Sequence, residues 1–319
     1  MLFEGSEKKV EVATRGGVGS LRDLPREFWD QIVAKSEAQV LSVISTKECA
    51  AYLLSESSLF VWDDHFTMIT CGQTQLVNAV FEFAEKVGID NIDSLIFERK
   101  NEYFPRHQKS DFFEDYERLK SAFGGQAFRF GNADDHHLFL YHLDKSFEPP
   151  VEDYTVEILM YDLQGRAKEV FSKEGQTVDS IREATGVHEI LPGFTIDDYV
   201  FKPRGYSLNA LSGANYYTIH VTPEESGSYV SFESNIQQTN QFRPLIEKVV
   251  QTFEPNSYDV VLFSPKPLGF HHRLPGFHMK SDVEQDLSNG YSVKFLSFFK
   301  EVDQIQPASL IVKEPLDGA

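Results

Sequence analysis

The same run of predicted elements occurs twice in the chain, and this repetition limits the fold more than any other feature. Strands over 50–62 and Phe66–Cys71 lead into a helix at Thr74–Val87 and a strand at Ser94–Glu98. Strands at Tyr216–Val221 and Tyr229–Ser234 lead into a helix at Phe242–Phe253 and a strand at Tyr258–Phe263. The offset of about 165 residues is too long for a solenoid repeat and fits a duplicated half of one fold. In the first helix Leu76, Val77, Val80, Phe81 and Ala84 share one face, and Gly88 supplies a stop. Hairpins followed by helices predict antiparallel sheets covered by helices, an α+β layered sandwich.

The remaining segments fit this plan. Pro25 opens a helix with Phe28, Ile32 and Val33 near 3.6 spacing, and Asp23 is close enough to cap it. Residues 39–45 read as a strand, Asp63-Asp64 as a turn, and residues 1–13 as an ambiguous stretch with Glu4, Glu7 and Glu11 set between apolar residues. Gln126–Phe130, His137–Leu143 and Tyr154–Leu163 read as strands and Thr177–Thr185 as a helix. Phe147-Glu148-Pro149-Pro150 is a surface loop and not a linker, because strands resume at once, so 1–319 is expected to be one domain. Gly269–Gly276 is expected to be a long mobile loop, and the tail beyond Pro307 to be poorly ordered.

The formal charge of −19 is spread along the chain. It argues against nucleic acid, which needs clustered Lys and Arg, and favours cationic ligands. No apolar run is long enough for a membrane span and the N-terminus lacks the pattern of a signal peptide, so a soluble, cytoplasmic protein is expected. Cys49 and Cys71 are too few for a disulfide framework or a cysteine-rich metal site. No metal is expected.

Within the hairpin at 50–62, Leu53-Leu54-Ser55-Glu56-Ser57-Ser58-Leu59-Phe60 places serines behind a glutamate where burial is expected. One reading is a strand edge whose hydroxyls bond nearby backbone. The other is a self-cleaving serine: its hydroxyl attacks the preceding carbonyl, the amide becomes an ester, and elimination leaves a pyruvoyl group, a built-in electrophile for amines.

Glu56-Ser57-Ser58, with Thr70-Cys71-Gly72 and Phe3-Glu4-Gly5, resembles the eukaryotic-type S-adenosylmethionine decarboxylase family. Gly205-Tyr206-Ser207-Leu208-Asn209 and the run Thr218-Ile219-His220-Val221-Thr222-Pro223-Glu224 extend the likeness. The resemblance implies a four-layer αββα sandwich of two antiparallel sheets with internal duplication. It implies cleavage between Glu56 and Ser57, giving chains 1–56 and 57–319, and a pyruvoyl cofactor derived from Ser57 that forms a Schiff base with the substrate. By the same carry-over His220 is the processing base with Ser207 as its hydroxyl partner, and Cys71 is the acid that returns a proton to the substrate's α-carbon. Glu4 and Glu7 lie near the pyruvoyl site, with Glu7 serving processing and turnover together. Phe3 and Phe201 stack on adenine, Glu224 takes the ribose hydroxyls, and Leu54 borders the substrate. The product implied is the aminopropyl donor of spermidine and spermine synthesis.

Glu11, Asp153, Thr155, Glu157 and Glu233 match the residues with which some members bind putrescine between the sheets. Asp153, Thr155 and Glu157 alternate along one predicted strand and so share a face. Carboxylates gathered inside a sandwich resist ionising, so a dication is a reasonable occupant; the alternative is a network neutralised by the chain's own Lys or Arg. Ile69 and Ile96 stand where animal members carry a lysine and a phenylalanine, which puts the family's regulation in doubt, so putrescine is expected to bind but to activate weakly. Arg204 and Ala210 replace smaller residues. A pyruvoyl decarboxylase of ornithine or arginine would keep Ser57, His220 and Cys71 without needing Phe3, Phe201 and Glu224 together; a non-catalytic regulatory subunit would be expected to lose Ser57. Sheet edges in such a sandwich make a homodimer a fair expectation.

Overall fold

Strand alternation decides how the layers stack. The computed structural model describes residues 3–224, 227–236 and 241–301. Its first sheet contains β1 (Lys8–Thr14), β2 (Val40–Ser45), β3 (Ala50–Leu54), β4 (Ser57–Val61), β5 (His65–Thr70), β6 (Ile92–Lys100), β7 (Gln126–Gly131) and β8 (His137–His142). Its second contains β9 (Thr155–Leu163), β10 (Thr195–Val200), β11 (Tyr206–Ser212), β12 (Asn215–Thr222), β13 (Tyr229–Ser234), β14 (Pro255–Ser264), β15 (Phe277–Asp286) and β16 (Ser292–Lys300). The spatial orders are β2-β3-β4-β5-β1-β6-β8-β7 and β10-β11-β12-β13-β9-β14-β16-β15. The second order repeats the first strand for strand, so the duplication read from the sequence is present in the topology.

In the first sheet, Val10, Val12, Leu59, Val61, Phe66 and Met68 face the helices α1 (Arg26–Lys35) and α2 (Leu76–Val87), forming one core with them. The second sheet does the same with Ile158, Met160, Ile219 and Val230 against α6 (Phe242–Phe253). The residues that alternate with these point the other way, and there the sheets meet. Ile96, Leu138 and Leu140 of the first pack on Leu159, Val261 and Phe295 of the second. A second contact joins Cys49, Phe60 and Trp62 to Leu211 and Tyr216. Helices therefore lie outside and sheets inside, the four-layer αββα sandwich. No helix among the described residues is long and apolar enough to cross a membrane.

Several local expectations are corrected. Asp23 does not cap α1; it ends a short 3-10 turn, and Pro25 at φ −63° sets the helix start without a side-chain cap. Thr74 precedes α2, its hydroxyl taken up by Thr70 Oγ1 at 2.9 Å and the Cys71 carbonyl at 3.0 Å. Asp153 lies ahead of β9, its backbone N–H turned onto the Pro150 carbonyl, so only Thr155 and Glu157 alternate within the strand. In the loop before β15 the side chains of His272 and Leu274 are buried. The tail beyond Pro307 lies outside the described residues. Unforeseen helices include α3 (Phe112–Phe123), although its capping box, Asp111 with Glu114, is a readable signal.

Trp29 anchors α1 on the sheet: it is fully buried, with its ring 5.1 Å from Phe28, 5.4 Å from Phe66 and 6.2 Å from Phe83. Trp29→Ala is expected to cost about 3–5 kcal/mol, whereas Phe299→Ala, at an exposed ring, should cost less than about 1 kcal/mol. Urea unfolding of the two variants measures the contrast, and equal losses would contradict this packing.

Candidate active site

The hairpin at the centre of the sequence reading carries a strained joint. Leu54 in β3 pairs with Ser57 in β4 across a turn made by Ser55 and Glu56. Ser57 has φ of 139°, a region L-residues avoid, at a cost of about 1–3 kcal/mol. The strain falls on the residue whose N-terminal peptide bond is the expected cut. The Glu56 carbonyl of that bond accepts the Cys71 backbone N–H at 2.9 Å and the Cys71 thiol at 3.3 Å. Ser57 Oγ lies 3.7 Å from Cys71 Sγ. A carbonyl with two donors beside a neighbouring hydroxyl is arranged for attack, because both donors stabilise the oxyanion that attack creates.

The second sheet supplies the other half. Register in the β11–β12 hairpin sets Ser207 opposite His220 and Asn209 opposite Thr218. Ser207 Oγ is 3.0 Å from His220 Nδ1, and His220 Nε2 lies 3.0 Å from Thr218 Oγ1 and 3.3 Å from Ser58 Oγ. Asn209 Oδ1 accepts the Ser58 hydroxyl at 2.5 Å and the Thr218 hydroxyl at 3.0 Å. The imidazole thus bonds to Ser58 and not to Ser57, where the resemblance aims it. Ser58 shares its strand face with Phe60 and looks onto the second sheet, while Ser57 is one residue out of phase. Ser58, Asn209 and Thr218 are site residues to which sequence reasoning gave no role. The two-residue spacing of Ser207 with Asn209, and of Thr218 with His220, was the available signal.

Electrostatics follow burial. Burial lowers His220 to about 3, so the imidazole is neutral, with one ring nitrogen unprotonated. Burial, then Glu56 and Glu7, raise the Cys71 thiol, which therefore keeps its proton as an acid must. Glu7 is pushed up to about 8, chiefly by burial, while its Oε1 accepts the Ser231 hydroxyl at 2.6 Å. Glu4 is used differently. Its carboxylate accepts the Ser6 N–H at 3.1 Å and the Phe104 N–H at 2.7 Å, which fixes the N-terminal segment over the site.

That segment joins the halves. The Phe3 N–H donates to Glu224 Oε1 at 3.3 Å, and the Phe3 ring lies over Gly72, whose φ of +68° favours glycine. Phe201 stands beside Gly205, in edge contact with Tyr199 at 4.9 Å. The Leu54 side chain is in the helix-side core, leaving its backbone as its part in the site.

Two of the carboxylates expected to hold a diamine, Glu157 and Glu233, already have cations. Lys9 Nζ lies 2.8 Å from Glu157, 3.0 Å from Glu233 and 3.7 Å from Glu98. Lys100 Nζ lies 2.6 Å from Glu157 and 2.9 Å from Glu98. Against burial, which acts upward, Lys100 and Lys9 hold Glu157 down to about 2. Lys9 is the cross-strand neighbour of Ile69, so the positive charge missing at 69 is present one strand away. Glu157 and Glu233 thus have lysine partners from the chain itself. Glu11 stays outside the lysine pairs and is raised to about 7 by burial and then by Asp153, whose Oδ2 accepts the Tyr291 hydroxyl at 2.5 Å. Thr155 is buried at the start of β9.

Comparison with known proteins identifies the family. The family model described as adenosylmethionine decarboxylase matches residues 1–299. The S-adenosylmethionine decarboxylase proenzyme of Xenopus laevis is 36% identical over 96% of this chain and 96% of its own length. That of Dictyostelium discoideum is 30% identical over 95% of this chain and 86% of its own. The crystal structure of the Trypanosoma brucei AdoMetDC-delta26 monomer superposes with a TM-score of 0.59 at 25% identity, covering 82% of this chain and 100% of that one.

The raised acids set a pH dependence. Folded Glu7 keeps its proton up to about 8, against an ordinary 4.5, so between those values the folded state binds more protons than the unfolded one. Stability from this group is fully present below 4.5 and is lost as pH rises through about 8. Glu98, raised to about 7 mainly by burial, acts in the same sense. Glu157 acts oppositely, its contribution present above 4.5 and lost as pH falls through about 2. The urea midpoint is expected to fall from about pH 5 to about pH 9, and Glu7→Gln to flatten the fall. A wild-type midpoint rising over that interval contradicts the assignment.

Proposed function

Because the chain belongs to the adenosylmethionine decarboxylase family, we propose that it releases the carboxylate of S-adenosylmethionine as carbon dioxide, after cutting itself between Glu56 and Ser57. The observation that carries the reading is the strained Ser57 joint, with the Glu56 carbonyl held by Cys71. In the cut, Ser57 Oγ bonds to the Glu56 carbonyl carbon, the peptide C–N bond breaks as its nitrogen takes a proton, and an ester remains. Removal of the Ser57 α-proton then expels the Glu56 carboxylate, and hydrolysis of the dehydroalanine end that remains, through its imine tautomer, takes up water and releases ammonia to leave the pyruvoyl carbonyl. His220, neutral and reaching the neighbouring Ser58 from the second sheet, is the base we assign to the α-proton removal, and Ser207 bonds its ring. The new chain end would fit the site, since Asn209 Nδ2 is a buried amide donor without a partner, on the side chain that holds Ser58.

A pyruvoyl carbonyl supplies an electrophile for the substrate's amine and an electron sink for its α-carbon. The chain's own residues do the rest. Phe3 and Phe201 offer faces to adenine and Glu224 a carboxylate to the ribose. Cys71, a protonated thiol within contact of Ser57, donates to the carbon that has lost carbon dioxide. The excess of acids suits a substrate carrying a sulfonium. Lys9 and Lys100 take the place of a diamine between the sheets, so putrescine is not required for cleavage or turnover.

Two experiments test this reading. Denaturing mass spectrometry should find wild type as 1–56 and 57–319, Ser57→Ala as one intact chain, and Ser58→Ala still cut. A cut Ser57→Ala chain with an intact Ser58→Ala chain would move the nucleophile by one residue. For the lysines, wild-type turnover should not respond to millimolar putrescine, while Lys9→Met should lose roughly tenfold or more in cleavage rate and regain part of it with the diamine. A wild type that is inert without putrescine removes the lysine substitution from the account.

A further inference from the structure

Lys8 belongs to none of the roles above, yet it is one of the most buried lysines, at 2% exposure. It alternates with Val10 and Val12 on the helix side of the first sheet, away from the Lys9 layer. Its Nζ donates to the Gly72 carbonyl at 3.0 Å and to Gln108 Oε1 at 2.9 Å. Gly72 directly follows Cys71, has φ of +68°, and gives its N–H to the Glu4 carbonyl at 2.8 Å. A turn so held fixes where the Cys71 thiol points. The site for Glu56 is adjacent, because a Cβ on Gly72 would stand 3.1 Å from Glu56 Oε2. Lys8 is also the cation that opposes the upward push of burial on the Glu56 carboxyl. After cleavage Glu56 would carry a second carboxylate, its new terminus, beside the same ammonium.

Building on the decarboxylase reading, we propose that Lys8 is a positioning residue for the final proton transfer. Its ammonium anchors the Cys71–Gly72 turn and balances the Glu56 carboxylates, so that the thiol proton goes to the substrate and not to the chain. In the productive step the S–H bond breaks, the electron pair left by carbon dioxide forms the new C–H bond on the substrate, and the thiolate regains a proton from water. In the unproductive step the proton goes to the carbon derived from Ser57. Hydrolysis then leaves the substrate's nitrogen on the chain as an N-terminal alanine and releases the substrate as an aldehyde. The two fates are separable, because a pyruvoyl end is blocked to Edman sequencing and alanine is open.

Charge on Lys8 is within reach of titration. Burial and then Arg99 lower it to about 8, opposed by Glu102, Cys71 and Asp115; Glu56 also faces it. The full-length wild type and Lys8→Met are incubated with S-adenosylmethionine from about pH 6.5 to about pH 9, and N-terminal alanine is counted per turnover. Lys8→Met is expected to form roughly tenfold more near neutrality, the effect of losing a charged hydrogen bond. The gap should close above about pH 8, where wild-type Lys8 has itself lost the proton. Equal alanine in the two proteins, or a gap unchanged across that range, overturns the proposal. Should Lys8→Met remain uncut, Gln108→Leu removes one of the two acceptors on Nζ and decides: a several-fold rise in alanine supports the role and no rise overturns it. A wild type that is uncut or inactive would sink the decarboxylase reading itself, an outcome visible before any variant is compared.

Discussion

Two lysines and three glutamates buried between the sheets are the constraint on which the rest of the molecule rests. Lys9 and Lys100 bridge Glu98, Glu157 and Glu233, drawn from both sheets, in a layer closed off by apolar contacts on either side. Taking such charges out of water costs several kcal/mol per ion, and their mutual attraction offsets this only if the sheets are held in one register. A hydrophobic layer of equal volume would tolerate sliding. The charged layer does not, because a shift separates each ammonium from its carboxylates and leaves buried charge unpaired. Stability is thereby tied to alignment, and alignment is what the site needs.

The site is divided between the duplicated halves. The first sheet contributes the strained Ser57 joint and the Cys71 donors; the second contributes His220, Ser207, Asn209 and Thr218. The hydroxyl and carbonyl lie on one sheet and the imidazole on the other. Ser58 links them through hydrogen bonds to Asn209 and His220. The strain at Ser57 persists because its neighbours over-determine it: Leu54 and Thr70 pair with it on either side, and Cys71 fixes the Glu56 carbonyl. Glu4 and Phe3 then bring the N-terminal segment across both halves, to Phe104 and Glu224.

The sequence by itself determined the repetition, the outward apolar face of each repeat, and the short runs in which Ser57, Cys71, Ser207, His220 and Glu224 stand. These are properties of local order: period two along a strand, period 3.6 along a helix, and residue types that chemistry requires at fixed spacing. Local order also held signals that went unused, such as the Asp111–Glu114 capping box and the two-residue spacing of Ser207 and Asn209. Only the tertiary structure decided that Ser58, and not Ser57, meets His220, and that Lys9 and Lys100 both reach Glu157, one of the acids expected around a diamine. Both depend on contacts between residues 57 to 162 positions apart, Lys100 with Glu157 and Ser58 with His220, created when one sheet is laid on the other. A strand pattern states which face a side chain is on. What stands opposite that face is set by the stacking and its register, which no stretch of a single strand contains.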